Sequence, residues 1–184
     1  MIGKDTILRT AGILAAFLVL YLLFVPFAPQ LRVAGDLLAQ QIGLPGVFLF
    51  VILVDTFIVP LTPDVIMPLL IEWPLVPVIL TIGLASVLGG ICGYAIGRSL
   101  GHLGIVQRAV QPYREQGEKR IRRGGFWAVF LAALTPIPFS TVSWLAGMLK
   151  VPFGLYAAAA LFRIPRLALT LLLFRSGWKL LEQI

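Results

Sequence analysis

The sequence predicts an all-α integral membrane protein with about three transmembrane helices and two re-entrant helical hairpins, arranged as a weak inverted repeat. Three observations lead there. Of the 184 residues, 59% are hydrophobic and only 12% charged, whereas soluble domains run at roughly 45–50% apolar and 25% charged. The apolar residues fall into five blocks, separated by prolines or by one long basic connection. Two of those blocks are interrupted by prolines that a continuous spanning helix does not accommodate. The length suits one membrane domain: an N-terminal part, residues 1–44, followed by a membrane domain, residues 45–178.

The first block, residues 7–27, is uninterrupted and long enough to span at about 1.5 Å per residue. Lys4 and Arg9 precede it, as in a signal peptide. It is long for one, however, and VPFAPQ is a poor small-residue cleavage site, so it reads as a retained transmembrane helix. Pro26 and Pro29 end it. Residues 30–43 then alternate Leu31, Leu37, Leu38 and Ile42 with Arg32, Asp36 and Gln40, the mild amphipathicity of a short interfacial helix.

The second block, residues 45–73, contains LVDTFIVPLTPDVIMPLLIEW, with Asp55, Asp64 and Glu72 and with Pro60, Pro63 and Pro68. A carboxylate at membrane depth costs about 2.5–3.5 kcal/mol and normally faces protein or water. Broken backbone survives there only when buried in protein or lining a cavity. Upstream of Pro60 the apolar arm is too short to cross ~30 Å of hydrocarbon. Thr62-Pro63-Asp64 reads as a helix start, with Thr62 as the cap and Pro63 in the first helical position. A hairpin over residues 45–73 that enters and leaves by one face fits this pattern, with Glu72 beside Trp73 at the interface.

The third block, a span over residues 76–100, carries Gly89, Gly93, Gly97 and Gly101 at four-residue spacing. Such small residues wind slowly around a helix and let another helix approach to backbone contact. Packing is the expected role, within the chain or against a second copy in a homo-oligomer. GGICGYAIG is not a dinucleotide fingerprint, because it lacks the preceding strand and the later acidic partner.

Residues 101–124 form the one long polar connection. Seven of the fifteen Lys and Arg fall between Arg98 and Arg123, the pattern of a cytoplasmic positive-inside loop. The net charge of +7 is therefore a membrane-topology signal and not a nucleic-acid footprint. The loop is therefore expected on the cytoplasmic side of the membrane.

The fourth block, a hairpin over residues 125–150, repeats the interruption at Thr135, Pro136 and Pro138, with Ser140, Thr141 and Ser143 following. The last block, residues 151–178, is one more span, with Arg163, Pro165 and Arg166 inside it. LTP occurs at residues 61–63 and again at 134–136, and interrupted segments at corresponding positions point to a transporter site at a repeat interface. With the basic loop inside, the hairpins dip from opposite faces and their tips meet near the midplane. The C-terminus then lies outside, where Arg175 and Lys179 sit poorly with the charge rule.

Candidate chemistry gathers on Asp55 and Asp64, which flank the first tip, and on Arg163 and Arg166. Unpaired, each is costly at depth; together they neutralise one another. Asp55, inside an apolar arm, is the candidate proton carrier. Half-helix N-termini and bidentate arginines suit phosphate, so the site residues Asp55, Asp64, Arg163, Arg166, Pro60, Pro63, Thr135, Pro136 and Pro138 suggest a phosphate-bearing, membrane-soluble ligand. The alternative is that the charges only pin hairpins to spans. No Walker motif, HExxH or nucleophile–histidine pair appears, and single Cys92 and His102 residues argue against a metal centre. An enzyme and a cofactor are therefore not expected.

At these residues the chain resembles the DedA, or SNARE-associated Golgi protein, superfamily (the VTT domain), closest to its YqaA-like bacterial branch. The resemblance rests on DTFIVPLTPDVIMPLLI, SVLGGICGYAIGRSLG and GGFWAVFLAALTPIPFSTVSWLAGMLKVPFGLY followed by FRIPR. It implies a helical membrane domain with two re-entrant hairpins that moves phosphate-headed lipids between leaflets as a scramblase or flippase, with a link to the proton-motive force. The family's embedded acidic pair falls on Asp55 and Asp64. Longer members carry arginines flanking the second proline motif, where this chain has Ala133 and Phe139; Arg163 and Arg166 match the arginine pair of the YqaA-like branch. Small-solute or ion transport through the same cavity, and a non-transporting scaffold, are the other functions open to such a chain.

Overall fold

The computed structural model describes residues 28–59, 61–104, 118–135 and 138–181, together with the isolated positions Gly12, Ala15 and Val19. The expected first span, Pro60, Pro136 and most of the basic loop lie outside the described residues. The described chain is helical throughout: α1 (Ala28–Ile42), α2 (Leu44–Thr56), a 3-10 helix (Pro63–Leu70), α3 (Leu75–Leu100), α4 (Glu118–Leu134), α5 (Phe139–Met148), α6 (Phe153–Ala160) and α7 (Arg163–Leu181). Two stretches are long and apolar enough to cross a membrane, Leu75–Leu100 and Phe153–Gly177, and Leu44–Thr56 and Gly124–Leu134 are shorter apolar helices.

Helix α3 is the central strut. Contacts pair Tyr94 with Val151, Ser86 with Arg163 and Trp73 with Arg175, so the α6–α7 stretch runs antiparallel to it. The first interrupted segment packs along the N-terminal half of α3, burying Val47, Val51 and Val54 with Val78, Ile82 and Ala85. The second packs along the C-terminal half, where Val129, Phe139 and Ala146 join Tyr94 and Tyr156. The two interrupted segments therefore approach the middle of α3 from its two ends, and their arms touch: the Trp144 indole Nε1 donates to the Thr56 carbonyl at 2.8 Å.

The glycine row makes this approach possible within the chain. A Cβ at Gly89 would meet the Ile52 carbonyl and Asp55, one at Gly93 would meet Trp144, and one at Gly97 would overlap the Trp144 backbone. Gly101 faces Met148 in the same way, and Gly147 of α5 returns the contact against Tyr94 and Gly97. Small residues on both partners bring α3 and α5 to backbone contact.

Four local readings are refined by the structure. Thr62 occupies the N-cap position with extended backbone but makes no side-chain capping bond. The helix that follows is 3-10, not α: Pro68 sits inside it, and a proline there removes one helical N–H and crowds the carbonyl four residues back. The last span is not one straight helix. It breaks at Leu161–Phe162, where Pro165 cannot donate to the Leu161 carbonyl, and Arg163 starts the new helix. The basic residues Lys119 to Arg123 belong to α4, which begins at Glu118, where the loop was expected to run to residue 124; Glu, Lys and Arg are good helix formers that extend the apolar arm.

Candidate functional site

Where the two breaks meet, the structure brings together the four charged residues singled out in the sequence. Asp55, near the C-terminal end of α2, faces Arg163 at the start of α7. The guanidinium Nη2 donates to Asp55 Oδ1 at 2.9 Å and Oδ2 at 2.7 Å, and Nε donates to Ser86 Oγ at 2.8 Å. Ser86 in turn donates to Asp55 Oδ2 at 2.5 Å. The triangle is sealed: Arg163 is 1% exposed and Asp55 2%. Below the guanidinium lies the Phe139 ring, 4.7 Å from Cζ to centroid, a cation–π contact with the first residue of α5. One arginine thus ties α2, α3, α5 and α7 together. Removing one member of such a buried pair costs about 3–5 kcal/mol, because the other charge is left uncompensated.

One helical turn on, Arg166 Nη1 donates to Asp64 Oδ1 at 2.8 Å. This pair is built differently. Its side chains are 11% and 19% exposed, and Arg166 donates once to its acid, where Arg163 donates twice to Asp55 and once to Ser86. Pro63 and Asp64 open the 3-10 helix, and the fixed φ of proline sets where the Asp64 carboxylate begins.

Of the other predicted residues, Pro63 is buried beside Asp64 and Pro138 stands at the N-cap position of α5. Thr135 is not brought to the ion pairs; its hydroxyl turns back to the Leu131 carbonyl at 2.8 Å, the usual use of Thr in a helical turn. Ala133 and Phe139 are both buried, and Phe139 serves the site through its ring.

Several contributors carried no signal in the sequence. Ser86 is an ordinary small residue in an apolar helix. Tyr156 donates to Ser143 Oγ at 2.8 Å and stacks on Tyr94 at 4.6 Å between centroids; Tyr94 donates to the Val151 carbonyl at 2.6 Å. Aromatic residues in a transmembrane run look like packing until their hydroxyl partners are known. Arg175, awkward for membrane topology, donates to the carbonyls of Leu70 and Trp73 at the end of the 3-10 helix, where a cation meets orphan carbonyls and the negative dipole end.

On the other face of α2 lies an apolar cleft of about 350 Å³, lined by Ala34, Leu38, Phe50, Leu53, Val54, Phe57 and Val59. Neither ion pair lines it. Leu53 and Phe57 are nearly half exposed at its rim.

A family model, the VTT domain, matches residues 44–176, which takes in both interrupted segments and all four charged residues. An uncharacterized protein of Methanocaldococcus jannaschii is 29% identical over 105 residues, covering 56% of this chain and 64% of that protein. The chain thus aligns with less than two thirds of that relative's length. No solved structure matches the chain. With the family model covering most of its length, the chain belongs to the VTT-domain (DedA) family of membrane-associated proteins.

Proposed function

We propose that this chain moves a phosphate-headed lipid, a phospholipid or a polyprenyl phosphate, between the leaflets of a bacterial inner membrane, with a link to proton movement. The observation that carries the reading is the pairing of Asp55 with Arg163 and Asp64 with Arg166 where two broken segments meet. Helix α3 has 26 residues, about 39 Å at 1.5 Å per residue. The breaks lie against its residues 86–93, close to its midpoint. On this reading both interrupted segments are re-entrant hairpins, entering from opposite faces, and the connection over residues 101–124 is cytoplasmic. Ionisable groups at that depth mark substrate or proton pathways by default.

The apolar cleft beside the first break favours a ligand with a hydrocarbon tail over a water-soluble solute. The activity needs neither covalent chemistry nor a cofactor, and its partners are lipids and not nucleic acid. The glycine row is occupied within the chain, so a homo-oligomer would use another surface.

The test is reconstitution into liposomes with labelled phospholipid and labelled polyprenyl phosphate. The parent chain is expected to move at least one of them. Asp55→Asn and Arg163→Ala are each expected to slow movement about tenfold or more, a loss of ~1.4 kcal/mol of driving interaction or greater. Unchanged rates in both variants would refute the site. No movement of either lipid by the parent would refute the reading in favour of solute transport or a scaffold.

A further inference from the structure

We infer that the two ion pairs divide the work: Arg166, held by Asp64, is the exchangeable anion-binding group, and the Asp55–Arg163 pair is a positioning element that no ligand enters. The inference rests on the lipid-translocase reading for the source of the anion, and it assigns the headgroup contact to one of the two arginines.

The difference in construction carries the argument. Arg163 spends Nε on Ser86 and Nη2 on both carboxylate oxygens of Asp55, with its face on the Phe139 ring. With 1% of Arg163 exposed, no approach remains for a third party. Arg166 spends one donor, Nη1, on one oxygen of Asp64. A guanidinium has five N–H donors in a planar fork suited to two oxygens of a phosphate. Among the described residues Arg166 makes no other side-chain bond that would occupy that fork. Among the described residues the buried side-chain nitrogen left without a partner is Nε of Arg175, not a nitrogen of Arg166. The side chains of this pair keep 11% and 19% exposure, enough for an oxyanion to reach them from outside.

Asp64 then acts as a resident competitor. Its carboxylate neutralises Arg166 while the site is empty, which meets the cost of an unpaired cation at depth. An arriving phosphate takes over the fork, and Asp64 reclaims it on release. Such a competitor lowers affinity and allows turnover. Arg163 and Arg166 are three residues apart, about 4.5 Å along one helix face, so the locked pair fixes the helix that presents the exchangeable one.

The experiment measures binding to the full chain in nanodiscs of zwitterionic phospholipid, with dodecyl phosphate and inorganic phosphate as separate probes and thermal unfolding as a check on folding. Asp64→Asn is expected to tighten dodecyl phosphate binding several-fold, and Arg166→Gln to weaken it about tenfold or more, with Arg166→Lys between parent and Gln. Asp64→Asn combined with Arg166→Gln should bind no better than Arg166→Gln alone. Ser86→Ala, which loosens the locked pair, should lower the unfolding temperature and raise the dissociation constant far less than Arg166→Gln does. Weaker binding in Asp64→Asn, or unchanged binding in Arg166→Gln, overturns the assignment; if lipid movement persists in that case, the translocase reading stands without it. The same pattern with inorganic phosphate but not with dodecyl phosphate supports the anion site while refuting a lipid as its ligand.

Discussion

Replacing Asp55 by Asn keeps the volume and removes the charge that Arg163 faces at 2.7 and 2.9 Å. What remains around the guanidinium is the Ser86 hydroxyl and the Phe139 ring, neither of which carries a compensating charge. Because Arg163 is 1% exposed, water cannot supply one. The expected loss is about 3–5 kcal/mol. At about 2–4 °C per kcal/mol for a chain of this size, the unfolding temperature should drop by roughly 6–20 °C. The double variant Asp55→Leu with Arg163→Met should recover most of that loss, since a well-packed apolar pair replaces a buried ion pair at little cost or with a gain. Thermal unfolding of the purified parent, single and double variants reads both numbers. A drop under about 2 °C for Asp55→Asn, or a double variant as unstable as the single one, would refute the claim that the buried charges compensate each other.

Three further predictions follow from packing and backbone geometry. Gly97→Ala is expected to cost about 1–3 kcal/mol, because its Cβ would overlap the Trp144 backbone, whereas Gly154→Ala, with nothing within 4 Å, should be neutral or stabilising by up to about 1 kcal/mol; paired melts check the contrast. Lys150 is the one described non-glycine residue with positive φ, at 57°, and it closes α5 as Val151 N–H returns to the Ala146 carbonyl at 3.0 Å; Lys150→Gly should raise stability by about 1 kcal/mol, seen as a higher melting temperature. Arg175→Met removes the donors that cover the carbonyls of Leu70 and Trp73, at a cost of about 1–3 kcal/mol, and hydrogen exchange should rise at residues 70–75 first.

The helical class and the positions of both breaks were legible from residue type alone. Prolines 63, 68 and 138 interrupt apolar runs, and proline acts locally through its missing N–H and fixed φ. The glycine row was legible as a packing surface for the same kind of reason, since spacing on a helix places small residues on one face. Its partner was not legible, because the facing residues, Trp144 and Met148, lie some fifty positions away. The kink before Arg163 was not anticipated, since residues 151–178 read as one span; its effect, putting a guanidinium at a helix start in the centre of the fold, depends on where the chain has already packed.

The four charged site residues illustrate the same divide. Charge in an apolar run has an energetic cost that depends on the residue itself, so Asp55, Asp64, Arg163 and Arg166 stand out from the sequence without any structure. Which acid meets which arginine, and how deeply, is a matter of sequence-distant packing: Asp55 reaches Arg163 across 108 positions and Asp64 reaches Arg166 across 102. Burial is likewise a property of the assembled helices. It makes the inner pair a sealed triangle with Ser86 and leaves the outer pair partly open. A helical membrane chain with two breaks and costly charges is written in the residue types, because those follow from local chemistry. That one pair is locked and the other partly exposed comes from packing, because exclusion of water depends on neighbours that the linear order does not place side by side.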